Sequence, residues 1–110
     1  MNLMAAGDTT ACATPINQTR REQHMPIIST FYGIIIQMYW DDHAPPHFHA
    51  RYAEDQIVID IRTLGILKGK MSRRALALVL EWAQEHRDEL MEDWELCQRS
   101  QSPKKISPLL

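Results

Sequence analysis

Three histidines and two aspartates fall within DDHAPPHFHARY, residues 41–52. Imidazole titrates near neutrality and ligates divalent metals through either ring nitrogen, so this spacing admits two chemistries. If His47 to Tyr52 is a strand, His47 and His49 share one face, with Phe48 and Ala50 on the other. Two imidazoles so placed can share a cation, and His43 can swing in across the diproline as a third ligand. The set His43, His47 and His49 would then hold zinc or another divalent ion with an open position. Without a metal, His47 and His49 can act as general base and acid, with Asp42 or Asp41 orienting an imidazole through its second nitrogen. That arrangement suits cleavage of an RNA phosphodiester, where the 2′-hydroxyl loses a proton and the leaving oxygen gains one. Arg51 would contact phosphate, Tyr39 would touch the substrate, and Asp60 is a further carboxylate for the same side. The third alternative is architecture, because H-x-H is a short pattern and histidines at turns often serve only a hairpin or an interface. Three of the five histidines within seven residues weigh against it.

The elements around this cluster are read from hydrophobic period. FYGIIIQMYW is β-branched and aromatic, with Ile34, Ile36, Met38 and Trp40 on one face and Ile35, Gln37 and Tyr39 on the other. The prolines of APP break the run, since neither can donate to a ladder. HFHARY resumes a strand, AED turns, and QIVIDI alternates with Ile57, Ile59 and Ile61 on one side and Val58 and Asp60 on the other. GILKGK is a short fourth strand candidate, punctuated by Gly65 and Gly69. Strands this close in sequence must be antiparallel, because a parallel crossover needs about a dozen residues. From Ser72, an N-cap candidate, the period becomes helical through RRALALVLEWAQEHRDELMEDWELCQRS. One long helix and two helices jointed near His86 to Asp88 both fit. The expected fold is α+β: a small antiparallel meander of three to four strands with a C-terminal helical layer on one face.

At 110 residues the chain fits one domain. The division expected is a disordered extension over 1–24, the domain over 25–102 and a tail over 103–110, with Met25 beginning sequence of a different character. Its net charge of −2 gives no general pull toward nucleic acid, so any such contact needs a local patch. Lys68, Lys70, Arg73 and Arg74 are candidates for one, or an ordinary solvated loop. The carboxylates of the helical half read as a solvated face or a surface for a basic partner; Trp82 and Trp94 read as core or dimer contacts. Cys12 and Cys97 suggest neither a disulfide framework nor a zinc ribbon, which favours a reducing cytoplasm. No apolar run approaches the roughly 18 residues of a transmembrane helix. P-loop, Rossmann and α/β-hydrolase fingerprints do not occur.

MPIISTFYGIIIQMYWDDHAPPHFHARYAEDQIVIDI, with RRALALVLEWAQEHRDELMEDWE after it, resembles a bacterial domain-of-unknown-function family of small proteins. Its motifs are a Met-Pro start, FYGI, DDHxPPHFHA and RALxLVLEWAxxHRxEL; where the family has a glycine in the turn after the histidine strand, this chain has Ala53-Glu54-Asp55. The resemblance implies a chain often encoded beside a second small protein in a toxin–antitoxin-like pair, and hence a small cognate protein as partner. The leading expectation is a cytoplasmic component of such a module with histidine-dependent chemistry on RNA. The alternative is a non-catalytic metal-binding or protein-binding regulatory domain, and a homodimer is compatible with either.

Overall fold

A computed structural model describes residues 26–110. The extension expected over 1–24, with Cys12 and His24, lies outside the described residues. Five strands, β1 (Ile27–Phe31), β2 (Ile34–Gln37), β3 (His47–Tyr52), β4 (Asp55–Asp60) and β5 (Ile66–Gly69), form one antiparallel sheet in the order of the chain. Two helices follow, α1 (Arg73–Glu85) and α2 (Arg87–Gln98). The α+β meander with a C-terminal helical layer is therefore what the chain forms, with one strand more than the period indicated. The extra strand arises because FYGIII is not continuous. Tyr32 and Gly33 take φ of 51° and 81°, and two successive positive φ values make the tight turn of a two-residue hairpin.

Alternation decides which sheet face meets the helices. Ile34, Ile36, Phe48, Ala50, Ile57 and Ile59 are all essentially inaccessible and share the covered face. Trp82 of α1 fills the centre of that face, its ring 5.4 Å from Phe31 and 6.0 Å from Phe48. Ser72 caps α1 by accepting from the Ala75 N–H at 3.3 Å. The helical stretch divides at His86, whose φ of −122° leaves helical geometry. Residues 103–110, expected as a tail, form no regular element but are docked: the Trp82 Nε1–H donates to the Ser107 carbonyl at 2.8 Å, and Ile106 is buried. Among the described residues, no helix is long and apolar enough to cross a membrane.

Candidate functional site

The β2–β3 loop, residues 38–46, carries the acidic pair to one end of the sheet, and distant backbone groups fix its path. The Asp41 N–H donates to the Cys97 carbonyl at 3.3 Å, satisfying one of the carbonyls a helix end leaves open. Gln98 Nε2 donates to the Asp42 carbonyl at 3.0 Å, and Trp40 Nε1 donates to the Gln101 carbonyl at 2.9 Å. At its far end the loop is tied to the sheet, because the Ile61 N–H donates to the Pro46 carbonyl at 3.0 Å. With Asp41 at φ 55°, the chain folds back and sets Asp42 over the start of β3.

There, one carboxylate oxygen meets both strand histidines. Asp42 Oδ2 lies 2.8 Å from His47 Nε2 and 3.4 Å from His49 Nε2. The other oxygen, Oδ1, accepts the His43 backbone N–H at 2.8 Å. His47 Nδ1 lies 2.7 Å from the Pro45 carbonyl. A carbonyl oxygen can only accept, so Nδ1 carries a proton; Nε2 then meets Asp42 as a donor in the doubly protonated ring or, in the neutral ring, with a lone pair that a cation between the two groups would satisfy. The His47 ring is buried, 5.1 Å from Trp94 and 5.2 Å from His49. His49 lies flat against Tyr39, with ring centroids 4.1 Å apart and planes within 9°.

Burial on its own would raise the Asp42 carboxyl, but hydrogen bonds from His43, His47 and His49 outweigh it and hold the group below its ordinary value. Burial lowers His49, with the charges of His47 and Lys68 acting in the same direction and Asp42 opposing. Asp42 is thus an anion and His49 a neutral imidazole near pH 7, the forms that coordinate a metal. The donor atoms of Asp42, His47 and His49 lie within 4.8 Å of one another. Two imidazoles and one carboxylate suit zinc and its neighbours, and three protein ligands leave a position open.

Of the residues singled out in the sequence, the structure brings together His47, His49 and Asp42, with Tyr39 stacked beside them. His43 is not in the group: its side chain is exposed, and Asp42 takes the third place that the sequence reading gave to it. Asp41 is exposed and serves the loop, accepting from Ser100 Oγ at 3.5 Å. Asp60 pairs across the sheet with His47, but its Oδ1 accepts the N–H groups of Arg62 and Thr63 at 2.7 and 3.2 Å, closing the β4–β5 turn. Arg51 lies two residues beyond His49 on the same face, half-buried. Three contributors escaped the sequence reading. The Pro45 carbonyl, the Gln98 amide and the Trp94 ring reach the site only through tertiary contact, and of these Trp94 alone left a signal, as an aromatic residue on a helical stripe.

No curated protein and no solved structure matches the chain. A family model described as domain of unknown function (DUF4160) matches residues 33–95, which include all of β2 to β5, the three converging ligand candidates and most of the helical layer. The chain belongs to this DUF4160 family.

Proposed function

We propose that the protein binds a divalent transition metal, with zinc the best chemical fit, through Asp42 Oδ2, His47 Nε2 and His49 Nε2. The observation that carries this reading is the hydrogen bond from His47 Nδ1 to the Pro45 carbonyl. It fixes the ring so that the other nitrogen offers its lone pair toward the point shared by Asp42 and His49, the arrangement by which proteins orient a ligating histidine. A zinc ion held by three protein ligands would activate water in its open position. The test is elemental analysis and cobalt(II) loading of the full chain. The expected result is about one ion per chain and a cobalt absorption spectrum, both lost in His49→Ala and Asp42→Ala variants that keep their circular dichroism. No ion in the wild type, or full occupancy in either variant, refutes the site.

A second reading is favoured by the 2.8 Å contact between Asp42 and His47, which is a direct hydrogen bond when both His47 ring nitrogens carry protons, Nδ1 donating to Pro45 and Nε2 to Asp42. Here the site works without metal on RNA, in the cytoplasm, as part of a two-gene toxin–antitoxin-like module with a small cognate protein. Both nitrogens of His47 are engaged, so the acid–base role falls to His49, with Asp42 and His47 positioning it. Expression of the wild type would then arrest growth, co-expression of the neighbouring gene would relieve the arrest, and His49→Ala would abolish it while remaining folded. Growth unaffected at every expression level dismisses this reading and leaves the metal site untouched.

A further inference from the structure

The sheet has a second face, which meets α2 only at its His47 end, where Trp94 packs on the ring, and whose composition beyond that end differs from that of the whole chain. Val58 pairs with His49 on one side and with Lys68 on the other, so these three residues form a row across β3, β4 and β5. Gln37 extends the row beyond His49, and Arg51 stands one step along β3, between Ile35 and Gln56. By strand geometry, Arg51 is about 7 Å and Lys68 about 10 Å from His49, in different directions. Among the described residues, neither Arg51 nor Lys68 forms an ion pair. Cations close to the histidine site and without carboxylate partners call for an anion with several charges spaced along it. The carboxylates of the helical half belong to the elements on the opposite face; on this face Asp42 and Asp60 are taken up at the His47 end, by the two histidines and by the Arg62 and Thr63 N–H groups, and Arg51 and Lys68 lie beyond them.

We infer that this sheet face binds the phosphodiester backbone of single-stranded nucleic acid, with Arg51 and Lys68 contacting phosphates on either side of His49. Single strands suit it because, among the described residues, Lys68 is exposed and Arg51 half-buried on this face, and the Tyr39–His49 stack already presents planar groups beside the cations. A duplex would need a helix, a ribbon or a protruding arm to enter a groove. The inference rests on the reading of Asp42, His47 and His49 as a site acting on RNA only in giving that site a substrate. The binding itself can be measured apart from any reaction.

The experiment is fluorescence anisotropy of the full chain with a labelled 12-nucleotide single-stranded RNA, the DNA of the same sequence, and an oligoglutamate peptide, over a range of salt concentrations. Binding of the RNA, the DNA or both is expected, weakening with salt, while the peptide does not bind. Arg51→Ala and Lys68→Ala should each weaken binding about 3- to 10-fold at low salt and reduce the slope of log K against log salt by about 0.7. Arg51→Lys should restore most of the loss, and Lys105→Ala, in the C-terminal segment, should change nothing. Absence of nucleic-acid binding overturns the inference, as does equal binding of oligoglutamate or an equal loss in Lys105→Ala. Metal content of the Arg51 and Lys68 variants separates the two proposals. Normal metal with lost binding supports the phosphate contacts alone, and His49→Ala that loses metal but still binds leaves this face standing.

Discussion

Asp93 carries the clearest electrostatic cost outside the candidate site. It is 1% exposed; Oδ1 accepts the Lys104 N–H at 2.8 Å, while Oδ2 has no hydrogen-bond partner among the described residues. Burial pushes its pKa from 3.8 up to about 6, against the Lys104 hydrogen bond and with help from Glu92 and Glu89. The folded chain therefore holds this proton more tightly than the unfolded chain. The resulting stabilisation is complete below about pH 3.8 and is lost as pH rises through about 6. A shift of about two units corresponds to on the order of 3 kcal/mol. Asp93→Asn keeps the acceptor for Lys104 and removes the titration. Urea denaturation should show it matching the wild type near pH 4 and exceeding it by one to a few kcal/mol above pH 7, a range estimated from the same conversion. Parallel stability–pH curves for the two proteins would refute the assignment. Cys97, nearby, is the opposite case: burial, with Asp93 and Asp41, pushes its thiol up to about 11, which leaves it protonated and unreactive.

At the level of elements, the turns decide the register that places the histidines. The β3–β4 loop contains only Ala53 and Glu54, because Tyr52 still pairs with Asp55. Ala53 sits at φ 54°, a region that costs an L-residue about 1–2 kcal/mol and glycine almost nothing. The chain therefore carries local backbone strain at Ala53. Ala53→Gly should stabilise the fold by about 0.5–1 kcal/mol after the added freedom of the unfolded chain is deducted, as read from the urea midpoint. A destabilised variant would show that the turn is held by something other than backbone preference. Gly69, at φ 85°, has a different reason to be glycine: an added Cβ would lie 2.2 Å from the Gln56 carbonyl oxygen. Period alone gave the covered and open faces of β2, β3 and β4 correctly. It missed the break between β1 and β2 because Tyr32-Gly33 lies inside an unbroken apolar run, and a turn of two residues leaves no polar interval.

For the whole molecule, the C-terminal segment is part of the domain. The Ile106 N–H donates to the Ile28 carbonyl at 2.8 Å, lining the free edge of β1, while Ile106 itself, 4% exposed, joins the core. The same segment supplies the acceptor for Trp82 and the donor for Asp93. Removal of residues 103–110 should therefore destabilise the domain by on the order of 3 kcal/mol, from one buried isoleucine and from polar groups left unpartnered. Thermal or urea unfolding measures this directly, and an unchanged midpoint would show the segment to be an ornament. Among the described residues, β5 at the opposite edge has no such cover; all four of its residues are exposed.

The amino-acid order alone determined the class of fold, the faces of the strands and the meeting of His47 with His49, because these follow from a two-residue period and short connections. It could also offer Asp42 as a partner for an imidazole. Tertiary structure alone decided that Asp42, not His43, completes the group, since that choice depends on a loop pinned by Gln98, 56 positions away. The orientation of His47 by the Pro45 carbonyl, and the placing of Lys68 in line with His49, were equally beyond the linear pattern. Local periodicity is a property of neighbours along the chain; a site is made by backbone groups that come together only when the sheet and the helix end have closed on each other.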